Sequence, residues 1–173
     1  MKKASFDAIA RALNEAQVEF LIVGGVAVIH HGYGRLTEDV DIVIRLDKGT
    51  VESAFRALGV LGYRPVVPVT ATEFAEPKLR QKWQREKNMQ VLRFWSEQHP
   101  ETPVDVFVTE PFDFECEFGK ADICESAPGV TVRVVSLGTL LEMKRAAGRP
   151  QDMADIDELN LLHGNPSSYD RST

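Results

Sequence analysis

The run Phe20-Leu21-Ile22-Val23 stops at the glycine pair Gly24-Gly25, and Asp39-Val40-Asp41 opens a second apolar run, Ile42-Val43-Ile44. Short, continuous apolar runs bounded by glycine or acid read as buried strands near the centre of a sheet. Side chains alternate along a strand, so Asp39 and Asp41 share one face while Val40, Ile42 and Ile44 share the other. Two like charges on one face of such a strand repel each other and are costly unless a cation compensates them. The pair therefore constrains both where the core lies and where the chemistry does.

The rest of the chain fills in around these runs. Residues 5–17 place Phe6, Ile9, Ala10, Leu13 and Ala16 at helical spacing. A short helix is expected from Val26 to His31, with Gly32 as its left-handed cap, and another from Thr50 to Leu58. Tyr63 to Val69 reads as extended, and Met89–Trp95, Val104–Val108 and Val130–Val135 read as strands. The segment Thr72–Lys87 is helical in composition, but Pro77 limits a single continuous helix. Ser136 is placed to cap a helix from Leu137 to Ala147 that Gly148 stops, and Pro150 suits the first position of a last helix ending at His163. This order implies one α/β (α+β) domain over residues 1–164, a mixed β-sheet of about five strands with packed helices. A polar, flexible tail at 165–173 is expected to follow.

A chain of 173 residues, 43% hydrophobic and 27% charged, can bury a core without staples. Cys116 and Cys124 match no zinc-ligand spacing and read as reduced thiols of a cytoplasmic protein, with a disulfide between them as the alternative. The N-terminal segment has no apolar core of the secretory kind, and no run approaches a membrane span. The net charge of −6 argues against a surface that grips nucleic acid everywhere. A local patch remains: between positions 78 and 93 the basic residues Lys78, Arg80, Lys82, Arg85, Lys87 and Arg93 face the single acid Glu86.

A third carboxylate strengthens the first two. Asp105 lies in Val104–Val108, facing away from Val104, Val106 and Val108. If that strand neighbours the Asp39–Ile44 run, three carboxylates converge over one sheet face. Alone, Asp-x-Asp is also compatible with a solvated strand end; Asp105 in its own apolar strand weighs against that. Hard oxygen donors of this kind suit Mg²⁺, which keeps waters and shares its remaining positions with substrate phosphates. Two such ions activate an attacking hydroxyl and stabilise a leaving pyrophosphate. Gly24-Gly25 lets the backbone approach an anion closely, and the helix expected from Val26 adds its N-terminal dipole.

Gly-Gly, a short helix, Asp-x-Asp and a third aspartate on a later strand resemble the nucleotidyltransferase superfamily built on the DNA polymerase β fold. More narrowly, Gly24-Gly25-Val26-Ala27-Val28-Ile29-His30-His31-Gly32-Tyr33-Gly34-Arg35-Leu36-Thr37-Glu38-Asp39-Val40-Asp41 is similar to small bacterial nucleotidyltransferases grouped with the AbiEii-type toxins. The stretch from Leu141 to Ile156, with Lys144, Gly148, Arg149, Asp152 and Asp155, is similar to the same group. The resemblance implies that Gly24 and Gly25 contact a nucleoside triphosphate, that Asp39 and Asp41 hold two Mg²⁺ ions, and that Asp105 completes the second metal site and orients the incoming hydroxyl. It implies that Lys144 approaches the phosphates or the base; a solvated helix lysine is the alternative. Arg35 and Thr37 either contact phosphate or fix the loop. His30 and His31 are expected to cap or pack at the helix end rather than to act as ligands. Arg149, Asp152 and Asp155 are expected to brace the last helix through an Arg–Asp pair.

The expected activity is Mg²⁺-dependent transfer of a nucleoside monophosphate from NTP to an acceptor hydroxyl, with release of pyrophosphate. Within the resemblance, the acceptors are a tRNA 3′ end or a protein side chain, and the chain is a toxin with an antitoxin partner. A small-molecule (antibiotic) acceptor and a non-catalytic nucleotide-binding or regulatory module are the alternatives. A metal-dependent phosphohydrolase is disfavoured by the lack of His-Asp metal pairs in the sequence. The basic stretch with Trp83, Phe94 and Trp95 either docks an RNA end or is a solvated helix whose tryptophan is buried. No membrane partner is expected.

Overall fold

The computed structural model describes residues 1–164. Seven strands form one mixed sheet: β1 (Phe20–Ile22), β2 (Val40–Ile44), β3 (Arg64–Pro65), β4 (Val91–Trp95), β5 (Val104–Phe107), β6 (Asp122–Ala127) and β7 (Val130–Val134). Their spatial order is β3-β4-β5-β2-β1-β7-β6, with β2–β5 and β1–β7 parallel and the remaining pairs antiparallel. The expected α/β (α+β) class with a mixed sheet holds, but the expected count of about five strands is corrected to seven among the described residues. β6 escapes the sequence because it is an edge strand whose residues are exposed or half-buried, so it carries no apolar alternation. β3 lies within the segment Tyr63–Val69 expected to be extended, but only two residues of that segment form a strand.

The helices are α1 (Lys3–Glu15), α2 (Gly24–His30), α3 (Lys48–Val60), α4 (Ala71–Ala75), α5 (Pro77–Lys87), α6 (Phe114–Lys120), α7 (Leu137–Ala147) and α8 (Pro150–Leu162). Local chemistry sets their ends. Asp47 caps α3 through the Thr50 amide at 2.9 Å, and Ser136 caps α7 through the Thr139 amide at 3.4 Å. Pro77 starts α5 and separates it from α4, because a proline lacks the amide a continuous helix needs. Gly148 ends α7 in a left-handed conformation, and Pro150 opens α8. Asp113 caps α6, a helix the sequence reading did not contain.

Every residue of β1 is buried, as are Val40, Ile42, Val43 and Ile44 of β2. Helices therefore cover both faces at the sheet centre. α1 packs against α3 and β7, buries Phe6, Ile9, Ala10 and Leu13, and turns its polar stripe outward. α2 packs on β2 and α7, and α7 on α8. Both cysteines are free thiols, Cys116 exposed and Cys124 half-buried, so the alternative disulfide is absent. Among the described residues no helix is long and apolar enough to cross a membrane. The tail expected at 165–173 lies outside the described residues.

Candidate active site

β2 and β5 run side by side in parallel, with Asp41 directly opposite Asp105 and Val40 opposite Val104. Paired residues of neighbouring strands point to the same face, so Asp41 and Asp105 stand together, and Asp39, two residues before Asp41, joins them. The three carboxylates sit at the N-terminal ends of the two strands. Val40, Ile42, Val104 and Val106 bury the other face in the core.

β4 adds a cation, Arg93, that was expected only as part of the basic patch at 78–93. Arg93 lies opposite Asp105 in the antiparallel β4–β5 register. Its guanidinium donates to both Asp105 oxygens, at 2.8 and 2.6 Å, and to Asp39 Oδ2 at 3.0 Å. These charge-assisted bonds hold the Arg93 guanidinium above its already high ordinary value. The sequence did contain a signal for it. Leu92 and Phe94 are core residues, so alternation places Arg93 on the carboxylate face.

Asp41 is treated differently. Burial first, then the like charges of Asp39 and Asp105, push its carboxyl up to about 6, and the Gly25 amide only partly offsets them. It forms no ion pair among the described residues, whereas Asp39 and Asp105 share Arg93. Three carboxylates with one bound guanidinium leave a deficit of positive charge centred on Asp41.

The glycine pair packs straight onto this centre. Gly24 adopts φ +61°, and a Cβ at its position would lie 1.9 Å from Asp41 Oδ2. A Cβ on Gly25 would lie 2.4 Å from Thr37 Oγ1 and 3.1 Å from an Arg35 amino nitrogen. Only glycine allows the backbone to sit here. The two glycines form the first turn of α2, two residues earlier than the expected start at Val26. Gly24, Gly25, Arg35 and Thr37 are thus brought together with Asp39, Asp41 and Asp105.

Lys144 is placed differently from the expectation of direct contact. It is buried on α7, and its ammonium donates to Asp152 Oδ1 at 3.1 Å and Asp155 Oδ2 at 2.5 Å. Neither a solvated lysine nor a free phosphate ligand describes it. Arg35 reaches the same Asp155: its amino group donates to Oδ2 at 3.1 Å, while Nε lies 2.9 Å from Oδ1, close but not aligned for a hydrogen bond. Arg149 closes the chain on Asp152 at 2.7 Å, and hydrogen bonds from both Arg149 and Lys144 hold the Asp152 carboxyl below its usual range despite burial. The Arg–Asp brace expected for the last helix is therefore present at Arg149–Asp152. Arg149 also feels the charges of Asp41 and Asp39.

The basic stretch divides. Arg80 is buried, donating to the Phe74 carbonyl at 2.5 Å, and Arg93 belongs to the carboxylate centre. Lys78, Lys82, Arg85 and Lys87 remain exposed on α5, with Trp83 partly buried against the core.

No protein-family model matches the chain, and no curated protein matches it. Three carboxylates stand together against the Gly24-Gly25 backbone, Asp39 and Asp105 share Arg93, and among the described residues Asp41 forms no ion pair.

Proposed function

We propose that the chain is a Mg²⁺-dependent nucleotidyltransferase with a polymerase β-like site, moving a nucleoside monophosphate from NTP to an acceptor hydroxyl. The observation that carries this reading is the parallel register setting Asp41 against Asp105, with the Gly24 backbone in contact with Asp41. The charge deficit at Asp41 and the all-oxygen donor set fit Mg²⁺, which Asp39, Asp41 and Asp105 would hold. When bound, Mg²⁺ neutralises charge on the phosphates and on the leaving pyrophosphate.

The residues themselves supply position and charge. Gly24 and Gly25 leave the backbone bare where a triphosphate would lie, and Arg35 and Thr37 line the same turn. Asp105 orients the acceptor hydroxyl. The reaction forms one bond from that oxygen to the α-phosphorus and breaks the bond to the β-phosphate. The hydroxyl proton passes to a carboxylate of the cluster. The rate gain comes from alignment and charge rather than a covalent enzyme intermediate. The resemblance of residues 23–44 extends the proposal to an RNA 3′ end or a protein side chain as acceptor, and to a toxin held in check by an antitoxin.

The Arg93 bridge favours one second reading: a nucleotide-binding module in which Arg93 is a permanent counter-ion and no turnover occurs. Turnover separates the two. Each α-labelled NTP is incubated with the protein, Mg²⁺, total RNA and cell lysate, and label is sought in RNA, protein and the chain itself. Transfer that disappears in Asp41→Asn supports the enzyme. A folded wild type that binds NTP yet transfers nothing from any of them supports the module instead.

A further inference from the structure

At the opposite end of α2 from the glycine pair, His30 closes the helix and His31 caps it, beside Asp122, the first residue of edge strand β6. His30 Nε2–H donates to Asp122 Oδ2 at 3.2 Å, and His31 Nδ1 lies 3.9 Å from the same oxygen. One nitrogen from each histidine and one carboxylate oxygen all lie within 4.8 Å of one another. Around a tetrahedral ion with bonds of about 2.0–2.1 Å, neighbouring donor atoms sit about 3.3 Å apart, so only small side-chain adjustments separate this arrangement from a ligand set.

His31 supplies the second observation. Its Nε2–H donates to the Val135 carbonyl at 2.8 Å inside the protein. That bond fixes the tautomer and leaves the Nδ1 lone pair facing the Asp122 carboxylate. An imidazole whose far nitrogen is tied to a backbone carbonyl is the arrangement metal-bound histidines adopt. A lone pair and a carboxylate oxygen facing each other are relieved by a cation between them. From behind, His163 Nε2–H donates to the His31 carbonyl at 2.8 Å and steadies the backbone.

We infer that His30, His31 and Asp122 form a site for one Zn²⁺ ion, distinct from the carboxylate cluster. Two imidazoles and a carboxylate favour a borderline transition metal over Mg²⁺, and three protein ligands leave the fourth position to water. His30 and Asp122 are open to solvent, which provides the entry path, while His31 is buried. The site joins the end of α2 to the first residue of edge strand β6. The histidines also sit at the helix end as expected, His30 closing α2 and His31 capping it.

The test uses untagged protein stripped with chelator and titrated with ZnCl₂ in excess Mg²⁺, followed by equilibrium dialysis. One equivalent of Zn²⁺ is expected in the wild type and in Asp41→Asn. His30→Gln and Asp122→Asn are expected to bind it about tenfold more weakly or worse. Circular dichroism of each variant establishes folding, and Zn²⁺ is expected to raise the wild-type Tm but not that of His30→Gln. The inference is overturned if the folded wild type takes up no Zn²⁺, or if His30→Gln and Asp122→Asn keep the same equivalent at the same affinity.

Discussion

With its carboxyl pushed up to about 6 from an ordinary 3.8, Asp41 holds its proton more tightly in the folded protein than in the unfolded chain. Its favourable contribution is therefore complete below the unfolded value and is lost as pH rises through about 6, a swing on the order of 2–3 kcal/mol. In chelator, urea unfolding of the wild type is expected to lose more stability between about pH 5 and pH 7.5 than Asp41→Asn does, and Mg²⁺ is expected to restore it. Equal slopes for the two proteins would remove the charge deficit from the account. Gly24 gives a second residue-level expectation. Gly24→Ala forces a side chain into left-handed backbone and onto Asp41, costing on the order of 1–2 kcal/mol from the backbone alone and abolishing transfer. Gly34→Ala, with nothing within 4 Å, is the control and should stay within about 0.5 kcal/mol of wild type in denaturant melts. Arg93 competes with any cation for Asp105, so Arg93→Gln is expected to tighten Mg²⁺ binding measured by calorimetry. Weaker binding instead would mean that the guanidinium orients the carboxylates for the ion.

At the scale of elements, the chain Arg35–Asp155–Lys144–Asp152–Arg149 fastens the turn between α2 and β2 to α7 and α8. Lys144→Met leaves two buried carboxylates short of a cation, and the expected loss is about 3–5 kcal/mol in chemical denaturation. A loss under about 1 kcal/mol would show that Arg35 and Arg149 suffice. This network also marks how far the sequence could be read. Alternation alone put Asp39, Asp41 and Asp105 on the polar faces of their strands, because two-residue periodicity is a local property. That β2 and β5 are neighbours in register is not local, and the sequence supplied it only as a condition. Arg93 was legible by the same alternation but was absorbed into a run of basic residues. Lys144 was placed correctly at the edge of an apolar helix face, yet which carboxylates it meets depends on how α8 folds back. The edge strand β6 and the short helix α6 bury too little to leave a pattern. His30 and Asp122, 92 residues apart, share no spacing rule at all.

Across the whole molecule, charge is segregated: a net −6 overall, with Lys78, Lys82, Arg85 and Lys87 exposed along α5. If RNA is the acceptor, replacing these four by Glu is expected to weaken RNA binding and flatten its salt dependence, measured by fluorescence anisotropy, while NTP binding stays unchanged. An unchanged salt slope would take α5 out of acceptor recognition. The pairing of distant segments has a further consequence. On the ribosome, Asp39 and Asp41 emerge long before Asp105, and Arg35 waits for a carboxylate 120 residues downstream. A nascent or truncated chain ending before α8 has all three aspartates of the cluster but not the Asp155 that braces Arg35. The turn that carries Arg35 and Thr37 beside the aspartates is fastened only once α8 has been made and folded back.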